Sequence, residues 1–282
     1  MAKPKVFVIY YSTYMHVRKL AESVKEGLEK TSKVDVEMFQ FPETLSDEIL
    51  GMMHAPSKPK DVPEITVDKL PEADGYMFGF PTRFGNAPAQ VKALFDATGG
   101  LWMSGALYGK PAGLFFSTGS QHGGQETTAM TFLPNLVHHG MIYVPIGFKN
   151  PNLADNSEVI GGSAWGAGTV AGSDGGRIPT EKELNIAEMQ GEEFACFVAK
   201  LAPKSAAADP AQDPVVPVAA GAAPANDAAV PTAEDQKDSG AQPEPAPAAA
   251  AAAPAPAPVQ SAGAQGSKKE KKHRVRDKCT IV

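Results

Sequence analysis

The sequence predicts an α/β protein with a doubly wound parallel sheet, in which helices cover both faces. Short apolar runs rich in β-branched and aromatic residues alternate with longer segments whose apolar residues recur at helical spacing. This alternation requires right-handed crossovers, which place helices on both faces of a parallel sheet. Three predicted strands end in small, polar or glycine-rich loops, at residues 12–17, 81–86 and 117–124. Because ligands of such sheets bind at the carboxyl ends of the strands, we expect these loops to form one site.

The strands and helices follow one another in regular order. The first strand, Lys5–Tyr10, leads through two hydroxyl residues into a helix whose apolar face is formed by Val17, Leu20, Ala21, Val24 and Leu28. Further strands are predicted at residues 34–41, 75–80, 112–116 and 141–144. Further helices are predicted at residues 45–53, 90–98, 126–137 and 181–201. Gly99 and Gly100 are expected to close the third helix, and a glycine-rich stretch at residues 161–176 precedes the last helix.

Composition divides the chain into three regions. Residues 1–202 have the composition of a globular domain, whereas residues 203–267 are dominated by Ala, Pro, Gly and small polar residues. Sixteen of the twenty residues from 241 to 260 are Ala or Pro. Such a region buries too little apolar surface to offset its chain entropy, so we predict a disordered linker. Residues 268–282 form a separate basic segment.

Charge and cysteine content exclude several classes of protein. A formal net charge of −6 argues against a nucleic-acid partner for the main domain. The two cysteines, Cys196 and Cys279, do not suit a disulfide, a CxxC motif or a metal site, which fits a reducing compartment. No signal peptide and no membrane-spanning helix are expected, because the apolar runs are too short.

Each of the three loops admits a structural and a functional interpretation. Ser12 and Thr13 either cap the helix that follows, or leave its backbone N–H groups free to bind a phosphate. Arg83 and Phe84 either lie on the surface and in the core, respectively, or face an electron-rich ring system. The glycines of residues 119–124 either form a flexible turn or let the backbone approach a flat ring closely.

Two further features lie outside these loops. His138 and His139 end a predicted helix, where positive charge is favourable, and two adjacent histidines are a poor metal site. Trp102 lies in a predicted glycine-rich loop, and packing in the core is its simplest role.

No strand is followed by G-x-S-x-G, which argues against a serine hydrolase. The first loop lacks G-x-G-x-x-G, which argues against a dinucleotide-binding domain.

Six motifs occur in a characteristic order between residues 4 and 201. They are Y-S-T-Y-x-H-V, P-T-R-F-G-N, T-G-G-L-W, S-T-G-S-Q-x-G-G-Q-E, H-H-G-M and G-A-G-T-x-A-G-S-D-G. Together they closely resemble the WrbA family of flavodoxin-like NAD(P)H:quinone oxidoreductases. The tail beyond residue 203 resembles that of certain fungal members.

This resemblance implies a flavodoxin-like sheet of five strands in the order 2-1-3-4-5, with FMN at the strand ends, and a homotetramer whose sites lie near subunit contacts. Carried over by motif, the residues that would hold the FMN phosphate are Ser12, Thr13, Tyr14, Met15, His16 and Val17. Those that would line the flavin ring are Thr82, Arg83, Phe84, Ser117, Thr118, Gly119, Ser120, Gln121, His122 and Gly123. His138 would approach the flavin from a neighbouring subunit. Tyr14 would also contact the nicotinamide cofactor, NADH or NADPH, and Trp102 would border the quinone pocket.

The chain departs from the family pattern at Met15 and His122, where the family usually has Gly, and less consequentially at Ala164, where it usually has Pro. If the backbone at Met15 requires a positive φ, a methionine there costs roughly 1–2 kcal/mol. His122 would block or contact the flavin ring. If each change cost about 1.4 kcal/mol, the FMN affinity would fall roughly a hundredfold in all.

The resemblance implies that NAD(P)H and a quinone use one pocket in turn, which gives ping-pong kinetics and a two-electron reduction to hydroquinone. No acid–base residue with a strongly shifted pKa is required, because the cofactor supplies the chemistry. A non-enzymatic alternative is a membrane-associated scaffold or stress-response protein with a weakened flavin site, which Met15 and His122 favour. A one-electron carrier is less consistent with the sequence, because a strongly acidic face is lacking and Trp102 and Tyr14 indicate a pocket for two stacked rings.

The C-terminal Cys279-Thr280-Ile281-Val282 matches the C-a-a-X pattern for prenylation. Residues 268–278 carry seven Lys or Arg against two acidic residues, a formal charge of +5. One lipid chain plus a basic patch is sufficient for stable anchoring, so we expect the protein to be peripheral on the cytoplasmic leaflet of a membrane. A nuclear signal or a solvated tail is the alternative interpretation of the basic run. The linker would hold the domain roughly 45 Å from the bilayer.

Overall fold

The computed structural model describes residues 2–201. Its strands are β1 (Lys5–Tyr10), β2 (Asp35–Gln40), β3 (Gly75–Pro81), β4 (Pro111–Thr118), β5 (Ile142–Tyr143) and β6 (Ala167–Val170). Its α-helices are α1 (His16–Lys30), α2 (Asp47–Met52), α3 (Ala89–Asp96), α4 (Gly99–Ser104), α5 (Gln125–His138) and α6 (Glu181–Leu201). Two short 3₁₀ helices span Val67–Glu72 and Pro151–Ala154. The predicted linker at 203–267 and the basic segment at 268–282, including Cys279, lie outside the described residues.

The sheet has the order β2-β1-β3-β4-β5, and all its pairs are parallel. This confirms the predicted flavodoxin-like architecture. Alternate residues of the strands face opposite layers of the core: Phe7 and Ile9 pack toward α3 and α5, whereas Val6 and Val8 pack toward α1 and α6. The continuous apolar runs in the sequence reflect this burial on both faces.

The structure adds a sixth strand within the glycine-rich stretch at residues 161–176, where no strand was predicted. Strand β6 pairs with Phe115–Thr118 at the carboxyl half of β4, whereas β5 pairs only with Pro111 and Ala112 at its amino half. A four-residue strand among glycines has no clear periodicity. The glycines are needed because a Cβ at Gly166 would lie 2.1 Å from the Leu114 carbonyl oxygen, and one at Gly168 would lie 2.2 Å from Gln125 Oε1. Close approach to β4, rather than local propensity, therefore makes this segment a strand.

The prediction that Gly99 and Gly100 close the third helix is wrong. These glycines begin the short helix α4, and Gly105, with φ 66°, ends it in the left-handed conformation. Trp102 consequently lies on a helix rather than in a loop. Within residues 2–201, no helix is both long enough and apolar enough to cross a bilayer.

Candidate functional site

The carboxyl ends of β1, β3 and β4 meet at one cleft, which we call the main cleft. Its lining consists of Ser12, Thr13, Tyr14, His16, Val17, Pro81, Thr82, Arg83, Ser117, Thr118, Gly119, Ala171 and Gly175. Most of these residues belong to the three loops identified in the sequence. Pro81 lies in the second of these loops but was not assigned to a ligand, whereas Ala171 and Gly175 were missed. The last two follow β6, so only recognition of that strand would have placed them at this edge of the sheet.

The first loop of the main cleft presents unpaired backbone donors. Among the described residues, none accepts a hydrogen bond from the backbone N–H groups of residues 12–17. Helix α1 begins at His16, within these residues, and its N-cap residue, Met15, makes no side-chain capping hydrogen bond. The interpretation of Ser12 and Thr13 as simple helix caps is therefore wrong. Free N–H groups, two hydroxyls and the positive end of a helix dipole together form a donor set that suits a phosphate group.

Met15 has φ 67° and ψ −1°, in the left-handed region that favours glycine. Because φ is positive at Met15, a methionine at this position costs roughly 1–2 kcal/mol. Its side chain is not part of the cleft lining. Met15 therefore strains the loop without filling the space where a ligand would lie.

The second loop is joined to the first through Arg83. Its Nη2 atom lies 3.4 Å from Thr13 Oγ1, and its Nη1 atom donates to the carbonyl of Thr82 at 2.9 Å. Phe84 has φ 53° and is fully exposed, so the interpretation that placed it in the core is wrong. Phe84 directly follows Arg83, which lines the main cleft, but Phe84 itself is not part of the lining.

The third loop divides between two surfaces. Ser117, Thr118 and Gly119 line the main cleft. Ser120 and Gly123 form a turn, in which the Gly123 N–H donates to the Ser120 carbonyl, and neither residue is part of the lining. Gln121 and His122 are exposed and border a neighbouring cavity with Glu126 and Ser163. His122 therefore does not obstruct the main cleft in this structure.

A network of hydrogen-bonded polar side chains connects the first loop to the neighbouring Glu43 and Gln90. Thr13 Oγ1 lies 3.5 Å from the Tyr11 hydroxyl, which donates to Glu43 at 3.2 Å, and Gln90 donates to the same carboxylate at 2.7 Å. Burial raises the pKa of Tyr11, which therefore stays protonated and acts as a donor. Partial burial opposes ionisation of Glu43, but hydrogen bonds from Gln90 and from the backbone of Thr44 and Leu45 outweigh it and lower its pKa. The network fixes the loop without requiring a ligand.

Trp102 and His138 lie away from the main cleft, in a second depression that we call the lateral cleft. Its lining includes Phe95, Asp96, Thr98, Gly99, Trp102, Pro134, Asn135, His138 and His139. Trp102 is 53% exposed, so its interpretation as a core residue is wrong. In the described part of the chain, neither Trp102 nor His138 lines the cleft formed by the loops at the strand ends.

His139 is a buried neutral residue rather than a charged helix cap. Thr98 Oγ1 donates to the Phe95 carbonyl at 2.6 Å, so its contact of 2.8 Å with His139 Nε2 makes that nitrogen the donor. Nδ1 has no partner among the described residues. Burial, together with the neighbouring His138, lowers the pKa of His139. The prediction of a favourable positive charge at this helix end is therefore wrong for His139.

This assignment predicts how stability depends on pH. Because the folded-state pKa of His139 is lowered, the unfolded chain takes up the proton first as pH falls below about 6.5. We expect the free energy of unfolding to decrease from pH 7 to 5.5, and the decrease to be smaller in His139→Gln when both are measured by urea unfolding. His122→Gln, at an exposed histidine, is the control. Equal slopes for wild type and His139→Gln would contradict the assignment.

The fold and the main cleft define an α/β protein with a cleft at the carboxyl edge of its sheet, whose backbone donors suit a phosphate group. Residues 4–152 match the family described as NADPH-dependent FMN reductase, and the chain belongs to this family. It is 56% identical over 203 residues to quinone-oxidoreductase QR2 of Triphysaria versicolor, covering 72% of this chain and 98% of that protein. It is 54% identical to NAD(P)H quinone oxidoreductase PST2 of Candida albicans, covering 69% of this chain and 96% of the relative. It is also 54% identical to the P25 protein of Schizosaccharomyces pombe, covering 67% and 94%. The predicted resemblance to NAD(P)H:quinone oxidoreductases is confirmed.

Proposed function

We propose that the protein binds FMN in the main cleft and uses NAD(P)H to reduce quinones to hydroquinones. The observation that carries the proposal is the set of free N–H groups at residues 12–17, next to the ends of β3 and β4. It is supported by membership of a family named for FMN and NADPH, and by relatives named for quinone reduction.

Each part of the main cleft then has a distinct task. The N–H groups of residues 12–17 hold the phosphate, and Arg83 adds a positive charge over the same loop. Thr82 and residues 117–119 lie along the ring. When bound, FMN supplies the two-electron chemistry. The residues position the rings, and solvent would supply the proton that accompanies hydride transfer to the quinone, so no side chain is required to donate or accept one.

A shared space for donor and acceptor predicts the kinetic order. NAD(P)H and quinone would occupy the same position in turn, so neither needs to bind while the other is present. Tyr14 would contact the nicotinamide donor, which is supported by its place in the lining of the main cleft, its 46% exposure and its hydrogen bond to the Met53 carbonyl. The resulting steady-state kinetics are ping-pong.

The decisive experiment is reconstitution of the full chain with FMN. After removal of excess FMN, we expect a retained and perturbed flavin spectrum that NAD(P)H bleaches and benzoquinone restores. A colourless protein that does not retain FMN would overturn the proposal. It would favour the non-enzymatic scaffold instead, for which the positive φ of Met15 is the supporting observation.

We further propose that the protein is a homotetramer in which His138 and Trp102 of one subunit complete the site of another. The lateral cleft supports this, because it shares no lining residue with the main cleft and leaves Trp102 exposed. Light scattering of the purified protein tests the assembly. A monomer would contradict it.

Replacement of Trp102 tests its role at the quinone pocket. An aromatic stacking contact contributes about 0.5–1.5 kcal/mol, so Trp102→Ala should lower kcat/KM for quinone by up to roughly tenfold. The Kd for FMN should not change. Met103→Ala, at the adjacent exposed residue of the same helix, is the control and should leave both values unchanged. Equal loss of FMN affinity and quinone turnover in Trp102→Ala would count against the assignment.

Membrane attachment through the C-terminal segment is also proposed. The C-a-a-X pattern and the formal charge of +5 over residues 268–278 support it. Cys279→Ser should move the protein from the membrane fraction to the cytosol, because a basic patch alone binds weakly. Thr280→Ala retains the cysteine and should fractionate like wild type. Unchanged membrane association of Cys279→Ser would refute prenylation as the anchor.

A further inference from the structure

Glu183, in the first turn of α6, is a fully buried carboxylate that organises the segment around β6. Its Oε1 accepts hydrogen bonds from the backbone N–H groups of Gly161 and Val170, at 2.8 and 3.1 Å. Its Oε2 accepts from Thr169 Oγ1 at 2.9 Å and from the Thr180 N–H at 2.8 Å. One side chain thus bonds four residues of the segment between α5 and α6.

Arg177 forms an ion pair with this carboxylate and also donates hydrogen bonds to two backbone carbonyl groups. Its Nη1 atom lies 2.9 and 3.0 Å from the two oxygens of Glu183 and also donates to the Val170 carbonyl at 2.5 Å. Its Nη2 atom donates to the Val159 carbonyl at 2.6 Å. A buried carboxylate is tolerated only when it is paired and fully hydrogen-bonded, and Arg177 meets that requirement.

The same arginine joins Glu183 to the wall of the main cleft. The Arg177 N–H donates to the Ala171 carbonyl at 2.9 Å, and the Ala171 N–H donates to the Thr118 carbonyl at 2.7 Å. Both Ala171 and Thr118 line the main cleft, as does Gly175. Residues 171–177 are therefore held between β4 on one side and the Glu183–Arg177 pair on the other.

We propose that Glu183 is a positioning residue for the cofactor, which acts through Arg177 to hold residues 171–177 as a wall of the main cleft. The inference rests on the proposed function, since it assigns this wall to bound FMN. Without the Glu183 carboxylate, Arg177 loses its counter-charge and several N–H groups lose their acceptor, so the loop would no longer keep one conformation. Glu183 itself does not line the cleft.

The test uses the full chain and two variants of the pair, Glu183→Gln and Arg177→Lys. Glu183→Gln keeps the shape but removes the charge, and Arg177→Lys keeps the charge but cannot reach the same set of oxygens. The matched control is Gln190→Met, which removes another buried polar side chain of α6. Gln190 bonds the Ala167 N–H and the Leu114 carbonyl, at the end of β6 remote from residues 171–177.

Three quantities are measured for each protein: the Kd for FMN from quenching of its fluorescence, stability from urea unfolding without FMN, and amide hydrogen exchange without FMN. We expect both pair variants to raise the Kd by at least roughly tenfold and to speed exchange at residues 172–176. We expect Gln190→Met to lower stability while the Kd stays within about twofold of wild type. Should Glu183→Gln fail to fold, Arg177→Lys carries the same comparison.

A wild-type Kd in both pair variants, with stability reduced as in Gln190→Met, would overturn the proposal and leave Glu183 a purely structural residue. An equal rise in Kd for Gln190→Met would also overturn it. If the wild-type protein itself binds no FMN, the proposed function fails and this inference about the cofactor fails with it. That outcome is distinct, because hydrogen exchange would still show whether the pair orders residues 172–176.

Discussion

An aspartate in place of Ser12 should weaken FMN binding by roughly a hundredfold or more, while the protein without FMN stays as stable as wild type. Ser12 lines the main cleft within the run of unpaired N–H groups at residues 12–17. A carboxylate at this position would occupy the donors and repel the phosphate. Two like charges about 4 Å apart near a protein surface repel by about 4 kcal/mol, which exceeds the hundredfold effect. A carboxylate near the N-terminus of α1 is itself favourable, so stability should not suffer.

The neutral variant Ser12→Asn separates charge from size, because Asn and Asp have nearly the same volume. Its Kd for FMN, measured by fluorescence quenching, should rise far less than that of Ser12→Asp. The Kd of Ser12→Asp should also improve with added salt, which screens the repulsion. Equal Kd values for the two variants would show that the loop does not hold the phosphate.

Alanine in place of Gly27 should reduce the free energy of unfolding by about 3 kcal/mol, at the upper end for an overpacked core. Gly27 lies on α1 where this helix contacts α6, and a Cβ there would lie 1.9 Å from the Glu188 carbonyl oxygen. Across the same contact, a Cβ at Gly191 would lie 2.2 Å from the Val24 carbonyl oxygen. Both obstructing atoms are backbone, so no side-chain rotation relieves the clash and the two helices must separate.

Gly51→Ala is the matched control for this stability prediction. Gly51 also lies within a helix, α2, but a Cβ there would have no neighbour within 4 Å. Since alanine is favoured over glycine in a helix by up to about 1 kcal/mol, this variant should be as stable as wild type or more so. Urea unfolding of both variants, compared with wild type, measures these changes in the free energy of unfolding. A stable Gly27→Ala protein would mean that α1 and α6 are not packed as described.

Local patterns were sufficient for most of the architecture. The apolar runs predicted β1 to β5, and the apolar face of residues 17–28 predicted α1, because most of these elements bury apolar side chains. Residues 12–17 were recognisable for a related reason: a strand that ends in hydroxyl residues before a helix leaves donors at a known edge of the sheet. The motifs identified the family, since their order along the chain is itself information.

The differences arose where contacts distant in sequence decide the conformation. Strand β6 depends on the free edge of β4, and helix α4 begins at two glycines that local rules place at a helix end. The exposure of Phe84 and the orientation of His122 away from the main cleft depend on how two loops turn. None of these has a signature in a window of neighbouring residues.

The sequence by itself therefore determined the order of the elements other than β6 and α4, the family and the loops that carry the donors, because these depend on periodicity, composition and motif. Only the tertiary structure decided which predicted residues share a cleft. It separated Trp102 and His138 from the strand ends, and it brought Ala171 and Gly175 to them. It also showed that the buried Glu183 forms an ion pair with the partly exposed Arg177. The physical reason is that burial and pairing depend on which chain segments pack together, and a linear pattern does not contain those distances.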